Sequence, residues 1–222
     1  IDEKGITPDQ QRLSQIFDFP APKCTKDLQR FLGMCNYIRK HIPNYTDLSS
    51  SLDKAKNCKT FAWSPELNAS FSRLKMAIMN AQLLATPRDD LPFFLATDSS
   101  NDGISSMLYQ QDGEKTLFIS FDSRSLRPSE TKYHAHKKEL LAVVFGLLKN
   151  QNILSHRQFT LMTDHQSLTF LFTQKHANIM MENWLDIISS FSFTPCHLPG
   201  VLNVIPDALS RAPSHVFNID TA

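Results

Sequence analysis

Two patterns of apolar positions divide the chain. Upstream of residue 86 they recur at helical spacing, and from residue 93 onward they fall into short runs and alternations typical of strands. Thr7-Pro8-Asp9-Gln10 has the order of a capping threonine with proline just inside a helix, and Leu13, Ile16 and Phe17 follow at helical spacing until Phe19-Pro20-Ala21-Pro22 ends the run. Thr25 can cap a second helix with Leu28, Phe31, Leu32 and Cys35 on one face, closed by Ile42-Pro43-Asn44. Residues 46–54 predict a third, short helix, and Ser64-Pro65-Glu66 opens a fourth in which Phe71, Leu74, Ile78 and Leu83 keep the period. The expectation is a small all-helical unit over residues 1–88, with Thr86-Pro87-Arg88-Asp89-Asp90 as a linker.

Beyond the linker the pattern predicts an antiparallel meander with strands at 93–98, 104–110 and 116–121. Pro128-Ser129-Glu130 then starts a long helix whose Leu141, Val144, Phe145 and Leu148 form an apolar face, with Glu139 near the chain's approach to the sheet. A fourth strand is expected at 159–164, then the short helix 168–172, a helix at 177–190 containing Trp184 and Ile188, a fifth strand at 193–198, and a last helix at 203–210. Residues 91–211 thus read as one α/β domain, and residues 212–222 as a tail without interpretable pattern.

Composition narrows the function classes without choosing one. A hydrophobic content of 41% is ample for a globular core. A formal charge of +1 means that a nucleic-acid partner must be held by a local patch. Lys23, Lys26, Arg30, Arg39 and Lys40, with Tyr37 and Tyr45 among them, suit such a patch, and a solvated helix face fits the spacing equally well. Cys24, Cys35, Cys58 and Cys196 lack zinc-ligand spacing, which suggests reduced thiols in an intracellular protein. No apolar run approaches the roughly 18 residues of a membrane span, so no membrane partner is expected. Ile1-Asp2-Glu3-Lys4 is no signal peptide, and a start without Met suggests a piece of a longer chain.

The chemistry-bearing stretch is Phe93-Phe94-Leu95-Ala96-Thr97-Asp98, followed by Ser99-Ser100-Asn101-Asp102-Gly103. It reads as a buried strand delivering a carboxylate at its end, although a lone aspartate there equally suits an Asx-type turn. Three further carboxylates sit in comparably apolar surroundings: Asp164 at the end of the fourth strand, Glu139 on the intervening helix and Asp207 on the last helix. If the two strands are neighbours, these groups converge. Four such anions repel unless divalent cations neutralise them, and oxygen-only ligands select Mg²⁺ or Mn²⁺. Two ions about 4 Å apart can bridge a phosphodiester, one activating water and the other stabilising the leaving oxygen.

Several motifs occur in one fixed order: Thr97-Asp98-Ser99-Ser100, Ser123-Arg124, Glu139-Leu140-Leu141-Ala142-Val143-Val144, Thr163-Asp164-His165-Gln166-Ser167-Leu168, and Pro199-Gly200 through Asp207-Ala208-Leu209-Ser210-Arg211. Together they resemble the ribonuclease H domain of gypsy-type LTR retrotransposon reverse transcriptases. Leu28-Gln29-Arg30-Phe31-Leu32-Gly33, Asn36-Tyr37-Ile38-Arg39 and Phe61-Ala62-Trp63 are similar to the thumb and connecting segment that precede it.

The resemblance implies a ribonuclease H-like mixed five-stranded sheet flanked by helices, preceded by a small all-helical thumb/connection unit. It implies hydrolysis of the RNA strand of RNA–DNA hybrids, with Asp98, Glu139, Asp164 and Asp207 as ligands of two Mg²⁺ ions, Mn²⁺ substituting. Ser99, Ser100, Asn101, Ser123, Arg124 and His165 become candidate substrate contacts. A capping or packing role for His165 and a structural pairing for Arg124 stay open. Polymerase domains of the same polyprotein are the implied partners, in cytoplasm, virus-like particles or nucleus; no Tyr-x-Asp-Asp run occurs in these residues. Two departures from the family's usual pattern are His197, where tyrosine is common, and Pro206, where alanine is common. Pro206 fits only in the first turn of the last helix. The competing expectation is a retroelement-derived module that binds nucleic acid without turnover. An integrase-type nuclease lacks its His/Cys segment here.

Overall fold

The computed structural model describes residues 5–58, 60–163 and 179–197. Four helices come first: α1 (Gln10–Phe17), α2 (Thr25–Ile38), α3 (Tyr45–Ala55) and α4 (Pro65–Met79), with a 3-10 turn at Arg39–His41. Leu28, Phe31, Cys35, Leu52, Leu74 and Ile78 are buried together in their shared core, so the helical periodicity translates directly into packing. Ser64 caps α4 as expected, its hydroxyl accepting from Leu67 N–H at 3.2 Å. The first helix starts later than the sequence suggests. Asp9 is its cap, accepting from Gln11 N–H at 2.9 Å, and Pro8 lies outside it. Thr25 is likewise the first residue of α2 and Cys24 holds the cap position.

Strands β1 (Phe93–Ser99), β2 (Gly103–Asp112) and β3 (Lys115–Ser125) form the meander, followed by α5 (Ala135–Lys149), a short α6 (Gln151–Leu154), β4 (Gln158–Thr163), α7 (Ile179–Ser189) and β5 (Ser192–His197). The sheet order is β3-β2-β1-β4-β5, with β1 antiparallel to β2 and parallel to β4. This is the mixed five-stranded α/β sheet expected from the sequence. The expected last helix and the short helix at 168–172 lie outside the described residues.

Helix α5 covers one face, where Leu95, Leu108, Leu140, Val143, Leu147 and Leu161 are fully buried, each contributing about 1.5–3 kcal/mol of transfer free energy. It begins at Ala135, not at Glu130 as the Pro128-Ser129-Glu130 order suggests. Glu130–Lys132 forms a separate 3-10 turn, and Tyr133 and His134 are extended before the helix begins. The break follows from Glu130, whose carboxylate turns back to accept from Arg127 N–H at 2.7 Å and from the Arg124 guanidinium. Close approach of α5 requires Gly146: a Cβ there would stand 2.9 Å from Ser106 Cβ and 3.1 Å from Thr97 Cγ2.

The opposite face carries Ala96, Met107, Tyr109 and Phe121, covered by Leu84. The segment read as a linker is bound along this sheet. Ala85 N–H donates to Phe118 O at 2.6 Å. The fully buried Gln110 amide accepts from Arg88 N–H at 2.9 Å and donates to the carbonyls of Arg88 and Leu91 at 2.6 and 3.0 Å.

Gly146→Ala is expected to lower stability by about 1–2 kcal/mol although alanine favours helix, because the added methyl has no room. Gly33→Ala, exposed in α2 with nothing within 4 Å of the new methyl, should gain about 0.5–1 kcal/mol. Urea midpoints at unchanged m-value measure both, and shifts of equal sign would contradict the packing described.

Candidate active site

Asp98 is the penultimate residue of β1, half-buried, and its Oδ1 accepts from Ser99 N–H at 2.9 Å. It lies opposite Ser105 of β2, which lies opposite Ser123 of β3. Strand alternation sends Leu95 and Thr97 toward α5 and puts Asp98 on the face of Ala96, where the helical unit approaches. A shallow cleft beside it is walled by Pro43, Asn44, Ser105 and Phe121. Asn44 adopts the left-handed region, φ 49° and ψ 33°, which asparagine tolerates better than most residues.

Glu139 projects from the first half of α5 and is half-buried, with its Oε2 shielded from solvent and 3.8 Å from His136 Nδ1. Seven residues before Gly146, it shares that residue's sheet-facing stripe, because two helical turns return nearly to the same azimuth. Asp164, His165 and Asp207 lie outside the described residues, as does Pro206. In sequence, Asp98 and Asp164 each stand two residues past the registered β1–β4 pair Ala96 and Met162. Among the described residues no group of three or more His, Cys, Asp or Glu side chains could hold a metal ion. What the described residues offer is two carboxylates, hard oxygen donors of the kind Mg²⁺ and Mn²⁺ take, with no thiolate in the set.

The expected substrate contacts divide. Ser99 is half-buried and Asn101 exposed at the turn after β1. Ser100 is engaged within the protein, donating to Asp47 Oδ1 at 2.6 Å and accepting from Gly103 N–H at 2.9 Å. Ser123 is buried, its hydroxyl taking hydrogen bonds from Thr46 N–H and Oγ1 at 3.2 and 3.0 Å, so it faces the helical unit and not solvent. Arg124 makes a two-pronged ion pair with Glu130 at 2.6 and 3.0 Å and lies over the Phe145 ring. Of the two alternatives for Arg124, the geometry displays the structural pairing.

Part of the expected basic patch is likewise committed elsewhere. Tyr45 is in the helical core, and Arg39 donates to Ser123 O at 2.8 Å. Lys23, Lys26, Arg30 and Lys40 remain exposed, and Tyr37 is 62% exposed with the Arg12 guanidinium over its ring.

Sequence reasoning missed Asp47, Ser50, Lys54 and Asp102. Asp102 accepts from Ser50 at 2.9 Å and from Lys54 at 2.8 Å, and these hydrogen bonds hold its carboxyl below the usual range. The partners are about fifty positions apart, beyond the reach of any local pattern. The Asp102-Gly103 turn was the one legible trace.

Residues 88–191 match the RNase H-like domain found in reverse transcriptase. Beyond the domain, the chain is similar over nearly its whole length to retrotransposon polyproteins. It is 34% identical to the retrovirus-related Pol polyprotein from transposon 297 of Drosophila melanogaster, over 93% of this chain and 19% of that protein. It is 30% identical to the corresponding polyprotein from transposon gypsy of the same fly, over 95% of this chain and 21% of that one. The chain thus spans about a fifth of the length of the curated relatives it matches. In fold it is similar to the foamy viral protease-reverse transcriptase in complex with RNA/DNA hybrid, with a TM-score of 0.71 at 19% identity, covering all of this chain and 30% of that one.

The Arg124–Glu130 pair generates a pH dependence. Burial works to raise the Glu130 carboxyl, but hydrogen bonds from Arg124 and Arg127 N–H outweigh it, so the net displacement is below the ordinary value of 4.5. A lowered folded-state value contributes stability that is complete above the unfolded-state value and lost as pH falls through the folded one. The urea-midpoint gap between wild type and Glu130→Gln should be constant from pH 6 to 8 and narrow below about pH 4.5. A gap that widens on acidification would reverse the assigned direction.

Proposed function

We propose that this chain hydrolyses the RNA strand of RNA–DNA hybrids as the ribonuclease H part of a retroelement reverse transcriptase, with Asp98, Glu139, Asp164 and Asp207 holding two Mg²⁺ ions. The observation that supports it most is the placement of Asp98. It ends the central strand of an RNase H-like sheet, next to β4, whose continuation in sequence brings Asp164 at the equivalent offset. Glu139 adds a carboxylate from α5, the helix packed against β1 and β2.

Bound magnesium would supply a water of lowered pKa and neutralise charge on the leaving oxygen. The protein's own part is to aim carboxylate oxygens from a stiff strand end, where Ser99 N–H already fixes one oxygen of Asp98. Burial of Glu139 Oε2 restricts its rotamers and keeps solvent from competing for it. The exposed Asn101 and half-buried Ser99 sit beside Asp98 where the 2′-hydroxyls of a shallow minor groove would pass. Lys23, Lys26, Arg30 and Lys40 on the helical unit suit the phosphate backbone further along. The polymerase domains of the parent polyprotein are the natural partners.

The test is cleavage of a labelled hybrid in Mg²⁺ by wild type, Asp98→Asn and Glu139→Gln. Both variants should lose detectable cleavage while melting no lower than wild type, since each removes one charge from a mutually repelling set. Equal cleavage by wild type and Asp98→Asn would refute the reading.

A further inference from the structure

We propose that Asp47 of α3, acting through Ser100, is a positioning residue for Asp98, so that the helical unit completes the nuclease site. The inference rests on the reading of Asp98 as a metal ligand given above. It starts from what one serine hydroxyl can do. A hydroxyl has a single proton and two acceptor directions. At Ser100 the proton goes to Asp47 Oδ1 at 2.6 Å, the nearer and charged acceptor, rather than to Gly103 O at 3.3 Å, while the oxygen accepts from Gly103 N–H at 2.9 Å and from Asp102 N–H at 3.3 Å. The charged acceptor fixes the hydroxyl's orientation and strengthens the two bonds it receives. Ser100 N–H in turn donates to Gly103 O at 2.8 Å, closing the hairpin two residues after Asp98.

The rest of α3 grips the same few residues. Ser50 and Lys54 bind Asp102 in the turn, and Thr46 binds Ser123, two strands across from Asp98. Gly103 leaves no gap between them, since a Cβ there would stand 2.9 Å from Thr46 Cγ2 and 3.3 Å from Asp47 Oδ1. None of these polar contacts is needed to hold α3 in its own unit, where Tyr45 and Leu52 anchor it in the apolar core. The Lys54–Asp102 pair is also too exposed, at 67% and 45%, to contribute much stability. Their common effect is to immobilise the backbone that carries the Asp98 carboxylate, and misplacing such a group by 1 Å can cost on the order of a hundredfold in rate.

The experiment compares wild type, Asp47→Ala and Asp47→Asn in the full chain, with Ser100→Ala as a second route to the same contact. Asp47→Asn keeps an oxygen that accepts from Ser100 and should hold kcat within about threefold, whereas Asp47→Ala should lose about ten- to a hundredfold. That loss should come with unchanged KM for the hybrid and a higher Mg²⁺ concentration at half-maximal rate. The double variant Asp47→Ala/Ser100→Ala should be no worse than Ser100→Ala alone, because Asp47 acts on Asp98 only through the Ser100 hydroxyl. Amide hydrogen exchange at Ser99, Ser100 and Gly103 should quicken in Asp47→Ala and not in Asp47→Asn. Wild-type cleavage matched by Asp47→Ala, in rate and in Mg²⁺ dependence, overturns this assignment alone. Absence of cleavage by wild type overturns the nuclease reading and this assignment with it.

Discussion

Strand β1 is held from both sides, and the rest of the molecule is arranged around that confinement. A strand alternates its side chains, so Leu95 and Thr97 meet α5 while Ala96 and Asp98 meet the surface on which the helical unit rests. The α5 side is set by apolar packing and by the missing side chain at Gly146. The other side is set by hydrogen bonds between α3 and Ser123, Ser100 and Asp102. A half-buried carboxylate between two such surfaces has little freedom to swing, the property on which the proposed magnesium site depends.

Much of the fold was legible because it is local. Alternation in residues 93–121 gave the meander, and the Ser64-Pro65 start gave α4, since both signals lie within a few residues of the structure they cause. The errors were of the opposite kind. Glu130 looks like a helix-starting residue until its partner Arg124 is seen, and Pro128-Ser129-Glu130 then becomes a turn that precedes α5. Thr7 and Asp9 both suit a helix cap by residue type, and Asp9 is the one that caps α1.

The candidate site follows the same division. Asp98 and Glu139 stand out as carboxylates at the end of an apolar strand and on an apolar helix, and the structure places them on the central strand and on the first half of α5. Ser100 and Ser123 carry chemistry that suits a nucleic acid, yet their partners Asp47 and Thr46 engage it within the protein, and of the two roles open to Arg124 the pairing with Glu130 prevails. Polar residues beside a site are used twice over in a compact molecule, and sequence distance hides which use prevails.

The buried Gln110 carries a consequence for where the α/β domain begins. Its amide is satisfied by the backbone of Arg88 and Leu91, and one strand away Ala85 pairs with Phe118 while Leu84 caps the apolar face. A fragment starting at residue 91 would take the Arg88 N–H and carbonyl from a wholly interior amide, leaving it only Leu91, and would bare a patch of Met107, Tyr109 and Phe121 to water. In energetic terms the sheet therefore claims the chain from Leu84, and the border between its two halves runs through the helical unit's last turn of sequence instead of through the segment that looks like a tether.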